Sequence, residues 1–240
     1  MSTTSQTPQN RPFVDLIISI VIPSIILMKM SGEERLGPSM ALVVALAFPI
    51  GYGLHDLFRH GRKNPMAILG VFSVLLTGGI GLLKLEPQWL AVKEAAIPLA
   101  IGIGVLVAAK LGFPLIRKLL LNPAIMNIER INEELDKRGE HASFDQRLDR
   151  ANYWLAGTFF FSAVMNYVLA KLIVTSPGGS PEFNEELGRM TLLSYPVIAI
   201  PSMIMMMAIF WYIWRTINRL TGLGLEEILV GDHHGNDKTD

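Results

Sequence analysis

Five polar side chains sit inside long apolar runs or at their edges: Asp15, Lys93, Glu94, Asn152 and Asn166. Ionisable residues within membrane spans are rare and mark ion or substrate paths by default, so Asp15, Lys93 and Glu94 are the first candidates for chemistry. A plainer reading stands beside each. Asp15 lies about a turn inside its run, where a carboxylate faces headgroups or caps a helix. Lys93 can snorkel to the nearer surface, with Glu94 beside it also reaching water. Asn152 and Asn166 are 14 positions apart, close to four helical turns, which puts both amides near one stripe roughly 21 Å apart. A lipid-facing amide would leave polar atoms without partners, so that stripe is expected to face protein. His55-Asp56 reads as an interfacial pair.

Other chemistries find less support. Asp232, His233, His234 and Asp237 lie on a polar tail that fixes no further ligands, a poor basis for a closed metal site. Met203, Met205, Met206 and Met207 precede Trp211, Tyr212 and Trp214, the pattern of a lipid-packed helix ending in an interfacial aromatic belt. The chain has no cysteine, which removes disulfides, thiolate ligands and cysteine nucleophiles. No Walker loop, dinucleotide fingerprint, nucleophile elbow or zinc-protease helix occurs. The expectation is a protein that is not an enzyme and carries no cofactor or metal.

The elements that must hold these residues are helices. Half of the 240 residues are hydrophobic and the formal net charge is zero, a composition for a membrane protein and not for a nucleic-acid binder. The expected architecture is all-α: a six-helix transmembrane bundle with spans at about 13–30, 39–57, 66–83, 89–109, 151–176 and 190–214. Residues 1–12 are polar and expected to be disordered, and 222–240 form a solvated tail. The first span is read as uncleaved, because Lys29, Glu33 and Glu34 follow it in place of a small-residue cleavage site. Gly78-Gly79-Ile80-Gly81, and then Gly102 and Gly104, are expected to admit a neighbour closely.

Residues 110–150 form the one long polar insertion. Asn122-Pro123 reads as a helix start, and Ile125, Ile128, Ile131 and Leu135 recur as one apolar stripe through Arg138, ended by Gly139. This amphipathic cytoplasmic helix, between spans four and five, is expected to dock by that stripe on the membrane or the bundle. Ser143 with Gln146 reads as a capping box for the next helix. Counted on alternate segments, 15 lysines and arginines fall on the side of the termini, the second loop and the insertion, against 6 on the other side. Both termini are therefore expected in the cytoplasm, with an acidic external fifth loop carrying Glu182, Glu185 and Glu186.

Four stretches resemble the bacterial intracellular septation protein A family. Phe13-Val14-Asp15 is similar to the family's opening Phe-Leu-Asp, and Gly78-Gly79 with Leu82 to Glu94 to its glycine turn and lysine-bearing entry to the next span. Phe113 to Leu120 resembles a lysine-proline-leucine element ending in two leucines. Arg150 to Asn166 is the fullest match, with paired asparagines at the same separation around a phenylalanine run. Asn122 to Ser143 stands as an insertion, and the tryptophan and phenylalanine-lysine pair before the family's last span is missing from Phe183 to Thr191. The resemblance implies an inner-membrane protein that maintains the envelope or septum through contacts with other envelope or division membrane proteins and with lipid. It carries over Asp15, Lys93, Asn152 and Asn166. Self-association into a homo-oligomer stays open. The alternative is a small secondary transporter or channel for an ion, metabolite or lipid, built on helices kinked at Pro23, Pro49, Pro98, Pro196 and Pro201.

Overall fold

Proline shapes the ladder of this chain at two matching places. Ile17–Val21 and Tyr195–Ala199 are π-helical turns, and each ends two residues before a proline, Pro23 and Pro201. A proline lacks the N–H and its ring presses on the carbonyl four residues back, so the ladder widens locally and the helix continues. The computed structural model describes residues 17–59, 65–120 and 126–228. Ten α-helices run through them: α1 Ile22–Met30, α2 Gly37–Arg59, α3 Pro65–Leu82, α4 Pro87–Lys110, α5 Leu115–Leu120, α6 Ile128–Arg138, α7 His141–Ile173, α8 Pro181–Ser194, α9 Ile200–Thr221 and α10 Leu225–Ile228. Met126 is an isolated bridging residue, and no strand occurs among the described residues. Asp15, the polar N-terminus, Asn122-Pro123, Ile125 and the histidine tail lie outside them, as do the side chains of His55 and Asp56.

The fold is all-helical and membrane-embedded in character. Among the described residues, three helices are long and apolar enough to cross a membrane: Pro87–Lys110, His141–Ile173 and the continuous run Pro181–Thr221. Shorter apolar helices cover Gly37–Gly51 and Ile68–Leu82. Two of the long helices overrun their expected spans. The fifth starts ten residues earlier than 151, and the last begins in what reads as an external loop. Phe183, Asn184, Leu187, Gly188 and Met190 are the cause, since they form a buried stripe along α8 that alternating Glu182, Glu185 and Glu186 disguise. Ser180 caps that helix, its side chain accepting from the Phe183 N–H.

The chain divides into two units, residues 1–96 with 164–199, and 97–163 with 200–240. The first is centred on Leu27, Leu42, Leu90, Phe183 and Leu187, contributed by α1, α2, α4 and α8. Gly78 and Gly81 there receive leucine side chains, Leu46 and Leu42, where the sequence suggests a backbone. Gly79 faces open space.

In the second unit α6 closes over the ends of α7 and α9. Ile131 and Leu135 are buried with Phe144, Leu148, Ile217, Leu220 and Ile228. Gly139 at φ +66° accepts the left-handed turn that ends α6. The start differs from the expected one: Asn127 is the cap, its side chain accepting from the Arg130 N–H at 3.1 Å, so the helix spans 128–138 and not 123–138. The Ser143 capping box is also unused: the helix starts at His141, and the Phe144 N–H already donates to the Glu140 carbonyl at 2.9 Å, which places Ser143 inside the helix. On the solvent face, the Lys137 ammonium hydrogen-bonded at 2.8 Å holds the Glu134 carboxyl below the usual carboxylate range, with Arg130 and Arg138 adding to it. Gly102 packs against Phe159 and Phe160, whereas Gly104 has nothing within 4 Å.

Candidate functional site

Lys93 is the centre of a polar network in the first unit. Pro87 opens α4 at a position where its missing N–H costs nothing, and Lys93 follows about 9 Å along the axis. Its side chain does not snorkel: only 9% is exposed, against 23% for Glu94. The ammonium donates to Glu94 Oε1 at 2.6 Å and to Thr77 Oγ1, on α3, at 2.8 Å. Neighbouring residues on a helix do not face each other, so Thr77 is what turns the lysine inward. The Thr77 hydroxyl donates in turn to the Ser73 carbonyl. The result is a pair of zero net charge with a fixed donor. Nearby, Glu86, Gln88, Lys171 and Thr175 line a cavity of about 310 Å³.

The network predicts a thermodynamic signature. Lys93→Met is expected to destabilise the protein more than Lys93→Met combined with Glu94→Gln, because the single change leaves a carboxylate partly desolvated and unpaired. Thermal melting in detergent of the wild type, both single variants and the double gives the coupling. Equal losses would show that Glu94 does not need Lys93.

Asn152 belongs to the second unit and is fully buried. Its Oδ1 accepts from the Ile116 N–H, and its Nδ2 donates to the Val105 carbonyl, both at 3.3 Å. One side chain on α7 thus ties the last turns of α4 to the first turn of α5. Asn166, farther along α7 in the first unit, is half-buried and not free of partners. Of the candidate residues, the structure brings Lys93 and Glu94 into contact, places Asn152 in a separate network, and leaves Asp15 outside the described residues.

Three residues escaped the sequence reading. Asn184, fully buried on α8, donates to Ser31 Oγ at 3.0 Å and to the Pro38 carbonyl at 2.7 Å. Its Oδ1, like Ser24 Oγ on α1, has no protein partner. Glu186 accepts from the N–H groups of Thr175 and Ser176, both at 2.9 Å, and from both their hydroxyls. Gly188 lets the Ser24 carbonyl approach. The i, i+4 spacing of Asn184 and Gly188 was the available signal, hidden by the acidic residues between them. Metal-binding clusters of three or more His, Cys, Asp or Glu do not occur among the described residues. Compared with known proteins, the chain matches no family model, no curated protein and no solved structure.

Proposed function

We propose that the chain is a six-span protein of the bacterial inner membrane, with both termini in the cytoplasm, that supports cell-envelope maintenance or septation through contacts with other membrane proteins and lipid. The observation that carries this reading is the second unit. There α6 is held on the ends of α7 and α9 by its own apolar core, leaving Glu129, Arg130, Glu133, Lys137 and Arg138 outward. A rigid helix with a mixed-charge face suits recognition of a protein partner better than plain electrostatic adhesion to lipid. The reading is non-enzymatic.

The alternative, a small transporter, draws on one observation, the Lys93–Glu94–Thr77 network between α3 and α4, the latter with Pro98 inside it. One experiment separates the two. In a strain lacking the chain and defective in its envelope, Glu129→Lys with Glu133→Lys should abolish rescue while Lys93→Met with Glu94→Gln, which leaves no carboxylate unpaired, still rescues. The opposite pattern favours transport and overturns the interaction reading. The topology has its own check, motivated by the 15 to 6 split of lysine and arginine. Reporter fusions after Lys63 and after Asp240 should both read as cytoplasmic, and an external signal from either would sink it.

A further inference from the structure

The turn that follows α4 presents an unusual surface. Leu111 is 69% exposed and Phe113 77%, yet neither is on a loose loop. Gly112 at φ +84° closes the helix, with Phe113 N–H donating to the Ala108 carbonyl at 2.9 Å and Gly112 N–H to Ala109 at 3.0 Å. This paired closure fixes the two residues after the last turn, and Pro114 stiffens the exit. Lys110 and Lys118 flank the turn, both exposed and both without an ion pair or hydrogen bond among the described residues. Arg117 between them is engaged with Asp145. The surface therefore combines two fixed apolar side chains with two uncommitted ammonium groups.

Its depth follows from α4. Twenty-four residues make about 36 Å, slightly more than a ~30 Å hydrocarbon core, so the helix end reaches the headgroup layer. A second marker agrees. Asn152 ties α7 to Val105, which sets exposed Tyr153 and Trp154 within about 11 Å, along the axis, of Lys110. Such side chains belong at the membrane–water boundary. The lysine-rich face is the one expected toward the anionic cytoplasmic leaflet.

We propose that the α4–α5 turn is a docking surface for anionic phospholipid, with Lys110 and Lys118 taking headgroup phosphate oxygens while Leu111 and Phe113 insert among the acyl chains beneath. The inference rests on the membrane-spanning reading and not on any role in septation. It selects phosphate-bearing headgroups of net negative charge over zwitterionic ones, because the latter bring their own cation to the surface.

The absence of cysteine permits single reporters. Leu111→Cys, spin-labelled, should lie deeper in vesicles containing phosphatidylglycerol than in phosphatidylcholine alone, judged by protection from an aqueous nickel chelate. Lys110→Gln with Lys118→Gln should erase that difference. In native mass spectrometry, preference for phosphatidylglycerol should fall roughly fivefold for each lysine removed. Unchanged preference in the double variant overturns the proposal. So does a label equally buried in both lipids, which would mean that protein covers the surface. A label on Ile103→Cys, exposed on α4, tests the underlying reading: it should be chelate-protected in either lipid. Reaction with the chelate there would show instead that α4 does not span.

Discussion

Ile131→Asp is expected to cut α6 loose from the second unit. Ile131 is 1% exposed, and truncation of such a side chain alone costs about 2–5 kcal/mol. A carboxylate adds the cost of desolvation, which the helix can avoid only by leaving its seat. Once released it has little reason to stay helical, because 11 residues are too few for a stable isolated helix in water. The measurement is limited proteolysis in detergent and in inside-out vesicles. Cleavage between 121 and 139 should appear in Ile131→Asp and in Leu135→Asp, while Glu133→Ala, on the exposed face, behaves as wild type. Resistance in all three would show that the stripe does not hold the helix.

Gly188→Ala is expected to lower stability, where helix propensity alone argues for a gain of about 1 kcal/mol. A Cβ at this position would stand 2.8 Å from the Ser24 carbonyl oxygen and 2.9 Å from Met28 Cγ. Methionine can swing aside, but a helical carbonyl moves only with α1. Overpacking of this kind costs about 1–3 kcal/mol, and Gly188→Val should cost more. Displacing α1 also pulls Ser31 from Asn184 and opens Leu27 and Leu187, so the loss should be cooperative. Gly104→Ala supplies the contrast, since nothing lies within 4 Å of its site; it should melt at or slightly above wild type. If Gly188→Ala melts no lower than Gly104→Ala, the close approach of α1 and α8 does not limit stability.

Much of the helical framework was legible because its signals are local. Ile131 and Leu135 of the apolar stripe and the Gly139 stop lie within a few turns of each other, and the structure uses all three. The start of the same helix was misread. Asn122-Pro123 and Asn127 are both acceptable caps, and the sequence carries nothing that ranks them. The capping box at Ser143 failed for a related reason: His141 to Ser143 are compatible with a helix, and the sequence does not rank a start at His141 against one after Ser143. On α8, Glu182, Glu185 and Glu186 made a buried stripe look like a loop, because short-range composition averages over the two faces of a helix.

The polar sites divide along the same line. That Lys93 and Glu94 fall within an apolar helix, and that Asn152 and Asn166 share a stripe, follows from order along the chain. Which groups satisfy them does not. Thr77 is 16 residues from Lys93, Ile116 and Val105 are 36 and 47 from Asn152, and Ser31 is 153 from Asn184. Hydropathy and periodicity picked out the long apolar helices α4, α7 and α9 and the stripe of α6, because each residue contributes to those properties on its own. Hydrogen-bond partners, helix ends and the value of a glycine are properties of pairs of segments. Only the tertiary structure, by packing particular side chains against particular backbone atoms, decides them.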